Sequence, residues 1–455
     1  MIVEPYAADP AFPDLEAAGD PVSMRQLFGE HLRPAGETAY TIRDCRLSRV
    51  RYRKGARCVL QYVLTLSHPA TGAERTQWVT GVMYTGGKTR RKWEKLLKSA
   101  PDVPGADPAF EPFAFVPELD MLVEVFPYDR RLPGLPLLMA GPSPDLEAPL
   151  LAHFGPGWRI EAWDVDLVRY RAELGATIRI SARAEEAATG RAEERRFYAK
   201  VYHDDGGEQT HSVLRTLRDR THDGTAFSVG RPVAYLDDLR TLIQKETPGV
   251  MLRDVLLTGE DAGSAVRKAA AALAELHLSD VTPPRLHSLG DEVRALERTG
   301  RLLRWACPHL GAEIEGAVGA VISNLDEVPP TPTHLDLKLD HILLDGERIS
   351  LIDLDGFAGA DPLLDTTGVM VRLGGMSLLF PDFDEERGKE YERAFADEYF
   401  GRVPEAWRDR LPVHYAGAAL KMAVGFFRRR EAGWPGKIES LLNTAGESLA
   451  GRTPQ

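Results

Sequence analysis

A strand-rich pattern occurs twice in this chain at a constant spacing of 118 residues, as from Ile42 to Ile160. VRYR at 50–53 returns as VRYR at 168–171, ATG at 70–72 as ATG at 188–190, and Tyr84 as Tyr202. Leu96 and Leu214 correspond in the helical stretch after each pattern, and VPELD at 116–120 meets VAYLD at 233–237 at a spacing of 117. Around the first copy, CRLSRVRY, RCVLQYVLTL and TQWVTGVMY alternate apolar and polar residues, the period of a half-buried strand. Chance supplies one tetrapeptide, but rarely several matches in register across a shared strand–strand–strand–helix pattern. The expectation is a duplicated sheet-plus-helix unit. Gly55 and Gly175 do not align at this spacing, so the copies have diverged. They also differ at one chemically telling place: the second copy reads FYAKVY with Lys200, the first VTGVMY with Val82.

With 455 residues the chain exceeds a single hydrophobic core, so two or three domains are expected. A formal charge of −12 argues against nucleic acid as a partner. No stretch approaches the roughly 20 apolar residues of a membrane span. The opening MIVEPYAADPAFPDLEAAGDP lacks the basic flank and apolar centre of a secretory signal. Cys45, Cys58 and Cys307 are scattered, which fits a reduced, cytoplasmic setting without disulfides or a zinc site. Residues 1–38 read as loop with one helix near PVSMRQLFGEHL, and Pro127–Pro156, rich in Pro and Gly, as a connector. Helical periodicity dominates beyond about Thr258: first in GSAVRKAAAALAELHLSD, then from about Asp291 to Leu325, then from about Asp384 onward.

Chemistry concentrates in THLDLKLDHILLDGERISLIDLDGF, which begins at Thr333. It reads as a turn, a strand, a hairpin turn at Asp345-Gly346 and a second strand. Asp336 then falls in the turn before the first strand and Asp353 in the second strand. The hairpin lets the two carboxylates converge, one to orient a hydroxyl proton and the other to hold a divalent cation. Lys200, among Tyr198, Val201 and Tyr202, is expected in a partly buried setting that calls for an anion, such as the phosphates of ATP.

These motifs resemble the catalytic and metal-binding loops of the aminoglycoside phosphotransferase and choline kinase-like family, relatives of the protein kinases. The resemblance rests on His334-Leu335-Asp336, on Asp353-Leu354-Asp355, and on GADPLLD with Asp361, Pro362 and Asp365. LAELH at 273–277 and IQKETPG at 243–249 add to it, and it spans roughly residues 158 to 450. It implies an α+β, bilobal protein kinase-like fold preceded by a second sheet-plus-helix unit. Residues 1–150 would be a cap-like unit resembling a degenerate small lobe. Residues 151–250 would be the ATP-binding small lobe, and 251–455 the helical large lobe.

The resemblance also implies roles. Asp336 would be the catalytic residue that orients the acceptor hydroxyl. Asp353 would hold Mg2+, with His341 and Asp355 as further candidate ligands. Lys200 would meet the ATP phosphates, with Glu208 as its partner, and Gln244, Lys245, Glu246 and Thr247 would hold the adenine. The hairpin YRAELGAT would cover the phosphates. Asp361, Asp365, His334 and His277 read as structural, and the acidic run from Asp382 to Glu386 as a solvated helix start. The chain departs from the family at His341, where the family usually has Asn, a harder ligand for magnesium. The expected activity is transfer of the ATP γ-phosphate to a hydroxyl of a small molecule of aminoglycoside, choline or sugar type. The alternative is a nucleotide-binding pseudokinase acting as a scaffold or regulator. The N-terminal unit, with Val82 in place of a lysine, is expected to bind no nucleotide and to serve as a cap or a homodimer surface.

Overall fold

The computed structural model describes residues 9–451 with the exception of 54, 99–102, 104, 222–224, 260 and 430. Its contacts divide the chain into two compact units. One comprises Met1–Gly207, Val233–Ile243 and Arg428–Arg430, the other Glu208–Pro232, Gln244–Phe427 and Glu431–Gln455.

The first unit carries two antiparallel sheets. Strands β1 (Thr41–Arg53), β2 (Arg57–Ser67), β3 (Glu74–Tyr84), β4 (Phe113–Val116) and β5 (Met121–Val125) form a sheet in the order β1-β2-β3-β5-β4. Next come β6 (Trp158–Arg171), β7 (Gly175–Glu186) and β8 (Ala192–Tyr202). After β9 (Phe227–Val229), which joins another sheet, β10 (Pro232–Leu236) and β11 (Thr241–Lys245) complete the second sheet. Read from β6, its order is β6-β7-β8-β11-β10, the order of the first sheet.

The backbone repeats at the spacing seen in the letters. Arg53 pairs with Arg57 and Arg171 with Gly175; Val59 pairs with Val82 and Thr177 with Lys200. Each of these positions moves by 118. The β1–β2 turn has Gly55 at φ 60, and the β6–β7 turn has Glu173 at φ 61. The helices that follow, Lys88–Leu97 and Gly206–Arg220, start 118 residues apart as well. The spacing then lengthens. Strand β4 ends at Val116 and β10 at Leu236, and the left-handed residues before the next strands are Asp120 and Arg240. The structural spacing here is therefore 120, and the VPELD–VAYLD match lies three residues out of register.

Pro127–Pro156 is more than a connector. It contains the helices Leu135–Met139 and Pro144–Phe154. Pro136 and Pro144 occupy first-turn positions, where a missing N–H costs nothing, so they mark helix starts; Pro149 lies inside the second helix. Leu135, Leu138, Leu146, Leu150 and Phe154 fill one apolar core together with Val59 and Val82 of the first sheet and Ile178, Ile180, Phe197 and Ala199 of the second.

The second unit is mainly helical. Its helix Ala262–Leu278 lays an alanine-rich face against the helix Glu385–Phe400. The helix expected over 291–325 is two helices, Leu289–Ala306 and Gly311–Ser323, because Pro308 cannot continue the first. A small sheet runs β12 (Val250–Met251), β14 (Ile342–Asp345), β15 (Arg348–Leu351), β9. Between them in sequence lies β13 (Thr331–Thr333), which pairs with β16 (Ala358–Ala360). Partnering Thr333 with Ala358 draws together the two loops that carry Asp336 and Asp353. Among the described residues no helix is long and apolar enough to cross a membrane.

Candidate active site

Two loops of the second unit build the site. The first leaves β13 at Thr333 and turns through Leu335, whose φ of 67 is unusual for a residue with a Cβ. Asp365 fixes this bend: its carboxylate accepts the backbone N–H of His334 at 2.6 Å and of Leu335 at 2.7 Å. Asp365 is itself buried and meets His277 Nε2 at 3.3 Å, while His277 Nδ1 meets the Tyr399 hydroxyl at 2.7 Å. His334 ties the first loop to the second through Nε2, which donates to Ile352 O at 2.9 Å. Gly356 is required where the loops touch, since a Cβ there would lie 2.5 Å from His334 O. Asp365 and His334 thus hold the two loops in place, with His277 behind Asp365.

Asp353 was expected inside the second strand. The strand β15 ends at Leu351, and Asp353 stands two residues beyond, in the left-handed conformation at φ 64. The hairpin turn also falls one residue later than expected, since Asp345 pairs with Arg348 across Gly346-Glu347. A strand-end residue with positive φ turns its carboxylate out of the sheet, and such strain gathers at functional sites.

Asp336, His341 and Asp353 converge, each offering a ligand atom within 4.8 Å of the others. His341 is buried, and its Nδ1 lies 2.9 Å from Asp336 O. A carbonyl can only accept, so Nδ1 carries the proton and Nε2 is left with its lone pair. That Nε2 lies 3.3 Å from Asp353 Oδ2. Burial pushes the His341 imidazole down to about 3, more than the Asp353 charge raises it, so it is neutral near pH 7. Two lone-pair atoms facing each other at this distance suit a shared cation. Partial desolvation raises the Asp336 carboxyl, but the charge and hydrogen bond of Lys338, at 2.6 Å, outweigh it and hold the group below its usual range. Lys338 is lowered too, because burial outweighs the pull of Asp336.

Asp355 stands outside this trio. It is exposed, and its Oδ1 accepts from the Thr210 hydroxyl at 3.3 Å. Glu208 is exposed in the first turn of the helix Gly206–Arg220. Lys200 lies on β8 opposite Thr177, half-buried, with its ammonium 5.6 Å from the Tyr202 ring centre. Gln244 and Lys245 end β11, and Glu246 and Thr247 follow outside any helix or strand. Lys245 N donates to Arg231 O at 2.9 Å.

Beside Asp336 opens a cavity of about 550 Å³. Arg285, Arg372 and Lys421 line it, as do Asp291 and Glu292. Glu292 is already held by Lys421 at 2.6 Å and His287 at 3.2 Å; Asp291 is held by Ser288 and Arg294. No sequence motif marked this cavity, because its walls come from four helices and the loops between them, spread from Arg285 to Lys421.

The profile of the phosphotransferase enzyme family matches residues 177–409, just over half of the chain. The chain belongs to this phosphotransferase family. It is thus a phosphotransferase with an α+β organisation, antiparallel sheets followed by a mainly helical part. No curated protein matches its sequence. Among solved structures, the streptomycin–ATP ternary complex of APH(2")-IIa is 15% identical, with 67% of this chain and 98% of that one covered at a TM-score of 0.40. A choline/ethanolamine kinase family protein from Mesorhizobium loti is also 15% identical, covering 64% of this chain and 89% of that one at 0.39. Choline kinase from Cryptosporidium parvum is 10% identical, covering 64% and 92% at 0.43.

Proposed function

We propose that this phosphotransferase moves the γ-phosphate of ATP, with Mg2+, to a hydroxyl of a small neutral molecule. The observation that carries the reading is the convergence of Asp336, His341 and Asp353 on loops pinned by Asp365 and His334. Asp336, ionised near pH 7, would accept the hydrogen bond of the attacking hydroxyl and orient it, the main protein contribution to phosphoryl transfer. Asp353 and His341 Nε2 fit a divalent ion, which would neutralise charge on the phosphates. Lys200 would meet the phosphates. The backbone of Gln244, Lys245, Glu246 and Thr247 would receive the adenine.

The cavity beside Asp336 supports a sugar-like acceptor over a polycation. Its carboxylates besides Asp336 are already engaged by cations, Lys421 among them, or by a hydroxyl, and Arg285 and Arg372 would repel an aminoglycoside. The test is ATP consumption with neutral sugars, choline and aminoglycosides in parallel. Neutral sugars should be used best. Replacing Asp336 by Asn should lower turnover by roughly 10²–10⁴-fold while ATP still binds. An active Asp336→Asn enzyme would place the catalytic carboxylate elsewhere.

His341 favours a second reading, a nucleotide-binding pseudokinase, because nitrogen is a poor ligand for Mg2+. Calorimetric titration separates the two. An enzyme should bind Mn2+ through His341, with affinity falling in His341→Ala, and turn over with that ion. A pseudokinase should bind ATP without consuming it under either metal. Residues 1–150 are read as a small-lobe-like unit without nucleotide, supported by Val82 lying in apolar core.

A further inference from the structure

The β6–β7 turn is where the kinase reading puts the cover over the ATP phosphates, and a covering turn is normally open to solvent. Here it is buried. Tyr170, Ala172 and Glu173 are each 5% exposed or less. The Glu173 carboxylate is shared by three arginines, Arg51 and Arg57 on either side of the β1–β2 turn and Arg130 just after β5. Its backbone N–H donates to Asp129 Oδ2 at 2.7 Å, and the Tyr170 hydroxyl donates to the same oxygen at 2.9 Å. Gln61 of β2 brackets the chain on both sides, donating to Tyr170 O at 3.0 Å and accepting from Ala172 N at 3.4 Å.

The conformation of Glu173 is informative. At φ 61 it adopts the left-handed geometry that Gly55 supplies at φ 60 in the first sheet. Glycine takes that geometry without steric cost, and glutamate does not. A side chain kept there against the backbone's preference, with its charge gripped on three sides, holds the turn in place.

We propose that the first sheet clamps the phosphate-covering turn through Glu173, so that Glu173 is a positioning residue for nucleotide binding. This rests on the kinase reading above. The clamp keeps the turn in one position, and nucleotide affinity depends on the fraction of molecules in which it is so placed.

Glu173→Gly tests this, because glycine suits the backbone geometry while the carboxylate is lost. Three quantities are compared with the unaltered chain: amide exchange of residues 170–176, Kd for Mg-ATP, and the separate kcat and KM of ATP turnover. Exchange should quicken. If the turn is then correctly placed about a tenth of the time, Kd and KM for ATP rise roughly tenfold, with kcat at saturating ATP little changed. Should Glu173→Gly not fold, Arg51→Gln removes one of the three cations and reads the same quantities. Faster exchange with unchanged Kd would overturn the proposal, as would weaker ATP binding with unchanged exchange. Absence of ATP binding by the unaltered chain would instead defeat the kinase reading beneath it, and this proposal with it.

Discussion

The two sheets of the first unit share strand order, register and turn geometry, yet they treat one position in opposite ways. On β3 that position is Val82, fully buried in the apolar core beside Val59, Leu132 and Leu135. On β8 it is Lys200, half-buried and opposite Thr177. A buried valine contributes to stability by removing apolar surface from water, roughly 1.5–3 kcal/mol for such a side chain. A half-buried lysine contributes little to stability and is useful where an anion comes to meet it. One scaffold therefore serves packing in one copy and, on the reading above, ligand binding in the other.

The sharpest way to break the comparison is to exchange the two residues. Val82→Lys places a charge in apolar core and should cost roughly 4 kcal/mol or more. Lys200→Val should change stability by less than about 1 kcal/mol and abolish ATP turnover. Chemical denaturation of both variants, with an activity assay on the second, checks the asymmetry. Equal stability losses would mean that the two positions are not used differently.

A smaller effect sharpens the contrast at the neighbouring strand. At the structural spacing of 120, Glu124 of β5 corresponds to Gln244 of β11. Glu124 is buried, and its Oε1 lies 3.2 Å from Arg130 Nε. Burial, with Asp129 close by, pushes its carboxyl up to about 8 against the pull of Arg130. The folded form is therefore protonated at moderate pH. Its stabilising contribution is complete below the ordinary carboxyl range near 4.5 and is lost as pH rises through about 8. Melting temperature should fall across that window. Glu124→Gln, which installs the residue of the second sheet, should flatten the fall. A pH profile unchanged by the substitution would show that Glu124 is ionised in the folded chain.

Periodicity was readable wherever one face of a strand is buried, which is why the spacing of 118 appears both in the letters and in the backbone. It slipped at VPELD because the stretch from the start of the helix to the end of the matching strand is two residues longer in the second copy, and letters alone do not reveal where a loop absorbs length. The reactive loops were readable because Asp336, His341 and Asp353 lie on either side of a short hairpin, so local geometry nearly suffices to bring them together. The supports were less so. Asp365 reaches back 31 residues to His334 N, and Glu173 sits in a geometry that sequence reasoning reserves for glycine. The arginines that hold Glu173 come from 43 to 122 residues away in sequence, a distance that no local pattern reports.

The thermal shift produced by Mg-ATP tests the central contrast most directly, measured on the unaltered chain, Lys200→Ala and Val82→Ala. A ligand that binds only the folded state raises its melting temperature. The account predicts a clear rise for the unaltered chain, little or none for Lys200→Ala, and an undiminished rise for Val82→Ala from a lower starting temperature, since Val82 packs and does not bind. An undiminished rise in Lys200→Ala, or none in the unaltered chain, would contradict it.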